Sequence, residues 1–197
     1  MARTPGSFSA NWGIIMRGFL LTVLLAMCLD APASRAEEAE VIWRHRASMG
    51  NVTITANPLG TASRMSFYAA RGFTRGTVDA YARSCGFSFG MQNAGSGSIT
   101  AHLADWLAIG ADGREVRFRL PEVWDADWEK AGVAQAARIA FRWAQFQSES
   151  RFEPGDWIMG MTTLQEVPVA PFRLVARYRD YKGNHEIVLD SLTCAPD

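Results

Sequence analysis

The sequence predicts a mainly β protein, an antiparallel β-sandwich with one short helical insertion. Three observations carry that prediction. Short segments alternate apolar and polar residues, as in Val116-Arg117-Phe118-Arg119-Leu120, which is the period of a strand with one wet face. Turn signals with a known mechanism, such as Ala111-Asp112-Gly113 and Pro154-Gly155-Asp156, separate these segments at fairly regular spacing. Apolar residues make up 48% of the 197, which supplies a core and argues against a disordered chain.

The chain opens on an address. Gly18 to Cys28 is an apolar run too short to cross a bilayer comfortably. Arg17 precedes it, and Ser34-Arg35-Ala36 follows as a small-x-small site. This layout predicts a secretory signal peptide over 1–36, cleaved after Ala36. One domain over 37–197 remains, expected in the periplasm or secreted, with no stable membrane insertion. Met16 is an alternative start, and 37–40 reads as a loose acidic tail. The full chain carries twenty basic and twenty acidic side chains. Loss of Arg3, Arg17, Arg35 and Asp30 with the leader shifts the balance to about −2, which gives no electrostatic case for nucleic acid. Once Cys28 is gone, Cys85 and Cys194 form an even pair. In an oxidising compartment they are expected to bridge. Closing a loop of that length is worth about 4–5 kcal/mol on the chain-entropy argument.

Taken in order, Val41 to Arg46 and Asn51 to Thr55 alternate and read as a hairpin turned at Met49-Gly50-Asn51, ended by Pro58 and Gly60. The helical insertion spans about 64–85. Met65, Tyr68 and Ala69 share a face, Gly72 is a stop, and Thr77 is a candidate N-cap for a second short helix. Phe87, Phe89 and Met91 line one face of a strand starting after Cys85, and Ile99 to Ile109 runs back from the Asn93–Ser98 connection. Pro121 to Gly132 breaks the pattern and reads as a loop with one helical turn. Phe141 and Trp143, flanking Arg142, predict a strand, and Trp157 to Thr163 predicts its partner beyond the Pro-Gly corner. Phe172–Tyr178 and His185–Leu192 form a last hairpin. Eight to ten such strands make the expected sandwich immunoglobulin-like in architecture, and architecture alone does not give function.

No catalytic motif emerges. Gly95-Ser96-Gly97-Ser98 is neither a nucleophile elbow nor a phosphate loop. Asp125, Asp127 and Glu129 open like a calcium loop, but Lys130 stands where glycine is required. The best candidates are the indoles of Trp124 and Trp128. Spacing four puts both on one side of a helical turn, either exposed among carboxylates as a sugar or protein platform, or folded down as a lid on the core. Arg117 and Arg119, with Arg173, Arg177 and Arg179, form a candidate basic stripe if their strands are neighbours. The expectation is a non-enzymatic, cofactor-free module that engages a cell-envelope protein through Trp124, Trp128, Arg117 and Arg119. The alternative is a small ligand: carbohydrate on the tryptophans, or copper through Met159, Met161 and a histidine.

Overall fold

The computed structural model describes residues 44–196. The predicted leader with its cleavage site, and the acidic segment 37–40, lie outside them. The described chain is mainly β, as expected. Its strands are β1 (His45–Met49), β2 (Val52–Leu59), β3 (Gly86–Asn93), β4 (Ile99–His102), β5 (Leu107–Ile109), β6 (Glu115–Arg119), β7 (Glu149–Phe152), β8 (Trp157–Leu164), β9 (Phe172–Asp180) and β10 (Gly183–Leu192). Four helices join them: α1 (Thr61–Ala69), α2 (Arg75–Arg83), α3 (Pro121–Lys130) and α4 (Gln135–Ala144).

All ten strands belong to one antiparallel sheet, running β1-β2-β3-β8-β6-β5-β9-β10. Strand β4 shares an edge of β9 with β5, through Thr100–Ala101, and pairs with β7 on its far side. In a flat sheet β3 and β9 would stand about 19 Å apart, four spacings of ~4.8 Å. Yet the rings of Phe87 on β3 and Phe172 on β9 meet at 6.0 Å between centroids. The sheet therefore curls, and its inner face closes on a core that holds Ile54, Phe87, Phe89, Trp106, Leu174 and Ile187. The expected alternation is present on β3, β6 and β9, whose Phe87, Phe89, Phe118, Leu174 and Ala176 are buried.

The predicted turns form for the predicted reasons. Gly155 takes φ +89° behind Pro154, and the Asp156 amide closes the corner on the Glu153 carbonyl at 3.1 Å. Gly50 and Asn51 turn the first hairpin. Pro58 does not end β2: it pairs with Phe87, and the strand runs on to Leu59. The segment Ile99–Ile109 is interrupted by a 3₁₀ turn at Leu103–Asp105.

The helices differ more from expectation. Two occupy the insertion, with Gly72 at φ +92° between them. The cap of α2 is Thr74, whose hydroxyl accepts from the Thr77 amide at 3.1 Å, rather than Thr77 itself. Pro121–Lys130 is a full ten-residue helix with proline at its start. The largest correction is α4, where a strand was predicted around Phe141-Arg142-Trp143. Four alanines in Gln135–Ala144 favour a helix. Ala137 and Phe141, spaced by four, are its buried pair, while Trp143 is 86% exposed. Phe141 and Trp143 thus point to different sides, and the period of two across three residues was coincidental.

The four helices form a layer on the outer face of β3 and β8. Their own core joins Tyr68, Phe73, Tyr81, Trp124, Trp128 and Phe141. Contacts to the sheet run from Tyr68 Oη to Met161 Sδ at 3.7 Å and from Trp124 Nε1 to Thr163 Oγ1 at 3.0 Å. Cys85, at the start of β3, is bridged to Cys194, just past β10, with Cα atoms 5.2 Å apart.

Candidate functional site

Trp124, Trp128, Arg117 and Arg119 each find a partner inside the fold. Trp124 and Trp128 lie side by side, 5.7 Å apart and 27° from parallel, as spacing four on a helix dictates. They do not face solvent. Both indoles are interior, at 6% and 4% exposure, and Trp128 Nε1 donates to the Thr77 carbonyl at 2.9 Å. The two rings lie in the core of the helical layer on the outer face of the sheet, which is neither an exposed platform nor a lid on the core inside the sheet. Helix α3 buries the face that carries both rings and leaves Glu122, Asp127 and Glu129 to solvent.

Arg117 and Arg119 diverge. Arg119 lies over the Trp124 ring, 3.9 Å from its centroid, and pairs with Asp127 of the same helix. Arg117 instead donates to the Ala104 carbonyl at 3.3 Å, and Arg177 reaches the neighbouring Asp105 carbonyl at 3.0 Å. Two guanidiniums thus clamp the 3₁₀ turn. Strands β6 and β9 are not neighbours, because β5 lies between them, so the predicted basic stripe is divided.

The acidic triplet is matched by arginines. Asp125 accepts from Arg138 at 2.8 Å and from Arg142 at 2.9 Å, while Glu129 accepts from Arg138 at 2.8 Å. Arg138 holds the Asp125 carboxyl below its usual range, Arg142 adds to this, and burial opposes it. These contacts bind α3 to α4. Met159 and Met161 share a face of β8, the outer one, with Met159 exposed and Met161 packed under the helices. Among the described residues no three histidine, cysteine or carboxylate side chains gather as a metal site. Buried Tyr68, Tyr81 and Gln145 bond one another, Gln145 Nε2 donating to Tyr68 Oη at 2.6 Å and Tyr81 Oη to Gln145 Oε1 at 3.2 Å. Burial pushes both phenols above their usual range.

Sequence reasoning passed over two features. The first is the end of the sheet where the β1–β2, β3–β4, β7–β8 and β9–β10 connections gather. Asn93, buried there, ties the β3–β4 connection to β7–β8. Its Nδ2 donates to the Gly97 carbonyl at 2.8 Å and lies 3.3 Å from those of Phe152 and Glu153. Its backbone exchanges bonds with Gly155 and Asp156, and Ala94 N donates to Asn51 O at 2.8 Å. Tyr181, 82% exposed, lies against Gly97, where a Cβ would stand 3.6 Å from the ring. A cavity of about 250 Å³ opens among these loops. The only signal for it was the run of turn residues Asn93–Ser98, which read as a flexible connection. The second feature is the outer face of β8 at Trp157, an indole 61% exposed. Its strand was predicted correctly, but sequence reasoning gave the tryptophan no role. Comparison with protein-family models, curated proteins and solved structures finds no match.

Proposed function

We propose that the protein is an exported, non-enzymatic binding module that engages a cell-envelope protein through the loop-bearing end of its sheet. The observation that carries this reading is the Asn93 network. The buried Asn93 amide ties the β3–β4 connection to β7–β8, and Ala94 ties it to β1–β2. Loops joined in this way lose little conformational freedom on docking, and Tyr181 stands against Gly97 as an exposed aromatic anchor. Loops held by a rigid sheet are a common place for recognition.

Export is supported by the apolar run at Gly18–Cys28 and by the Cys85–Cys194 bridge, which persists in an oxidising compartment. No helix among the described residues is long and apolar enough to cross a membrane. The immunoglobulin-like sandwich is part of this proposal, supported by the curl that sets Phe87 against Phe172. The non-enzymatic reading is supported by the way the buried phenols of Tyr68 and Tyr81 are satisfied by one another and by Gln145 inside the core.

The test is affinity capture from envelope extract with the mature chain and with Tyr181→Ala, after thermal melting confirms equal stability. A stoichiometric protein lost with Tyr181→Ala supports the proposal. Recovery of no partner, or equal recovery by both chains, overturns it.

A further inference from the structure

The outer face of β2, β3 and β8 is covered by helices at one end only. Gly86, Met161 and Thr163 lie under the helical layer, whereas Arg46, Gln92, Trp157 and Met159 are exposed. The register aligns these uncovered residues in two rows across four strands. Arg46, Thr55, Gly90 and Met159 form one row, and Ser48, Thr53, Gln92 and Trp157 the next. Three spacings of ~4.8 Å make each row about 14 Å long. Gly90 has no side chain, so the first row sinks between Thr55 and Met159. The result is a groove of about 250 Å³ bordered by Trp157 and Arg46, with Thr53, Thr55 and Gln92 along it.

Trp157 differs from the interior indoles. Trp106, Trp124 and Trp128 each donate to a protein acceptor at 2.8–3.0 Å. Trp157 has no such partner among the described residues and presents its ring to the groove.

We propose that this groove binds a neutral saccharide, with one pyranose ring stacked on the Trp157 indole. The electron-rich indole face attracts the weakly positive C–H edges of a sugar ring. The Gln92 amide and the Thr53 hydroxyl both donate and accept, and the Arg46 guanidinium donates, which suits vicinal hydroxyls. The dimensions favour a sugar over a protein. The two rows cover on the order of 200 Å², well below the ~800 Å² per partner of a stable protein interface. The groove is also smaller than the ~300–1,000 Å³ pockets that enclose drug-sized ligands, so it suits a single ring laid against a wall. One guanidinium makes no track for a polyanion.

The site is independent of the Tyr181 surface, and its test separates the two. The mature ¹⁵N-labelled protein is titrated to millimolar maltotriose, cellotriose and chitotriose, following the indole N–H resonances. One of the three is expected to shift the Trp157 resonance to saturation. Trp157→Ala should weaken that binding by about tenfold or more, while Trp143→Ala and Tyr181→Ala leave it unchanged. Gln92→Ala, on a more conservative surface change, should weaken it as well. No shift with any of the three sugars, or undiminished affinity in Trp157→Ala, overturns the proposal.

Discussion

A methyl group at position 160 would sit 2.1 Å from the Phe146 amide nitrogen and 2.3 Å from the Gln145 carbonyl carbon, where backbone has no room to yield. The chain leaving α4 crosses β8 there, with Phe146 N bonded to the Met161 carbonyl at 2.9 Å. Gly160→Ala is therefore expected to cost more than about 3 kcal/mol, or to prevent folding, as judged by chemical denaturation. Nothing in Trp157-Ile158-Met159-Gly160-Met161 announces that crossing, since the approaching segment is distant in the fold's logic. Thr162 offers the opposite case. It faces Phe87 on the inner side, and its buried hydroxyl has no partner among the described residues. Thr162→Val removes an unsatisfied polar group at nearly constant volume, so the variant is expected to be more stable by about 1 kcal/mol. A lower denaturation midpoint for Thr162→Val would contradict that account. Asn93 shows the limit of reading residues singly. Its position in a Gly- and Ser-rich run was visible, but only the folded loops reveal which carbonyls its amide meets.

At the scale of elements, the hairpins β1–β2, β5–β6 and β9–β10 were legible, whereas helix α4 was not. The Pro154-Gly155 corner joins two strands that do not pair, β7 lying against β4 and β8 against β3. A turn such as Pro154-Gly155 encodes its geometry in two residues, and strands of five or more residues repeat their period often enough to be trusted. Phe141-Arg142-Trp143 repeats it once. The informative spacing was four, in Ala137/Phe141 and in Arg138/Arg142, and Asp125 lies opposite the second pair. That carboxylate joins α3 to α4, and its proton affinity is lowered in the fold. Its contribution is thus present above the unfolded value of about 4 and fades as pH falls through the lower folded value. Asp125→Asn is expected to lose about 1–3 kcal/mol near pH 7. The gap to the parent chain should narrow steadily below about pH 4. Melting curves across pH check this, and a gap that stays constant down to pH 2 would contradict the ion-pair account.

For the molecule as a whole, alternation and turns conveyed the class, because each strand writes its wet and dry faces into neighbouring residues. The curl of one continuous sheet and the helical layer on its back depend on contacts such as Phe87 with Phe172, which no local window contains. The cysteine pair was the exception, a distant contact readable from parity and compartment. With its ends 109 positions apart in the sequence, the bridge should raise stability by about 2–5 kcal/mol, and reduction under native conditions should lower the melting temperature accordingly. An unchanged melt after thiol labelling proves full reduction would contradict this. The candidate site fared worst of all: tryptophan marks both a core and a platform, and only the folded chain separates Trp124 from Trp157.

That separation has an optical consequence. The near-parallel indoles of Trp124 and Trp128 stand close enough for their transitions to couple, while Trp143 and Trp157 emit from water. Unwinding of α3, which carries both rings, would end that coupling, while the emission of Trp157 on β8 would report on the sheet alone. The chain thus carries two native dyes, one for each side of its architecture, and no label is needed to see which side lets go first.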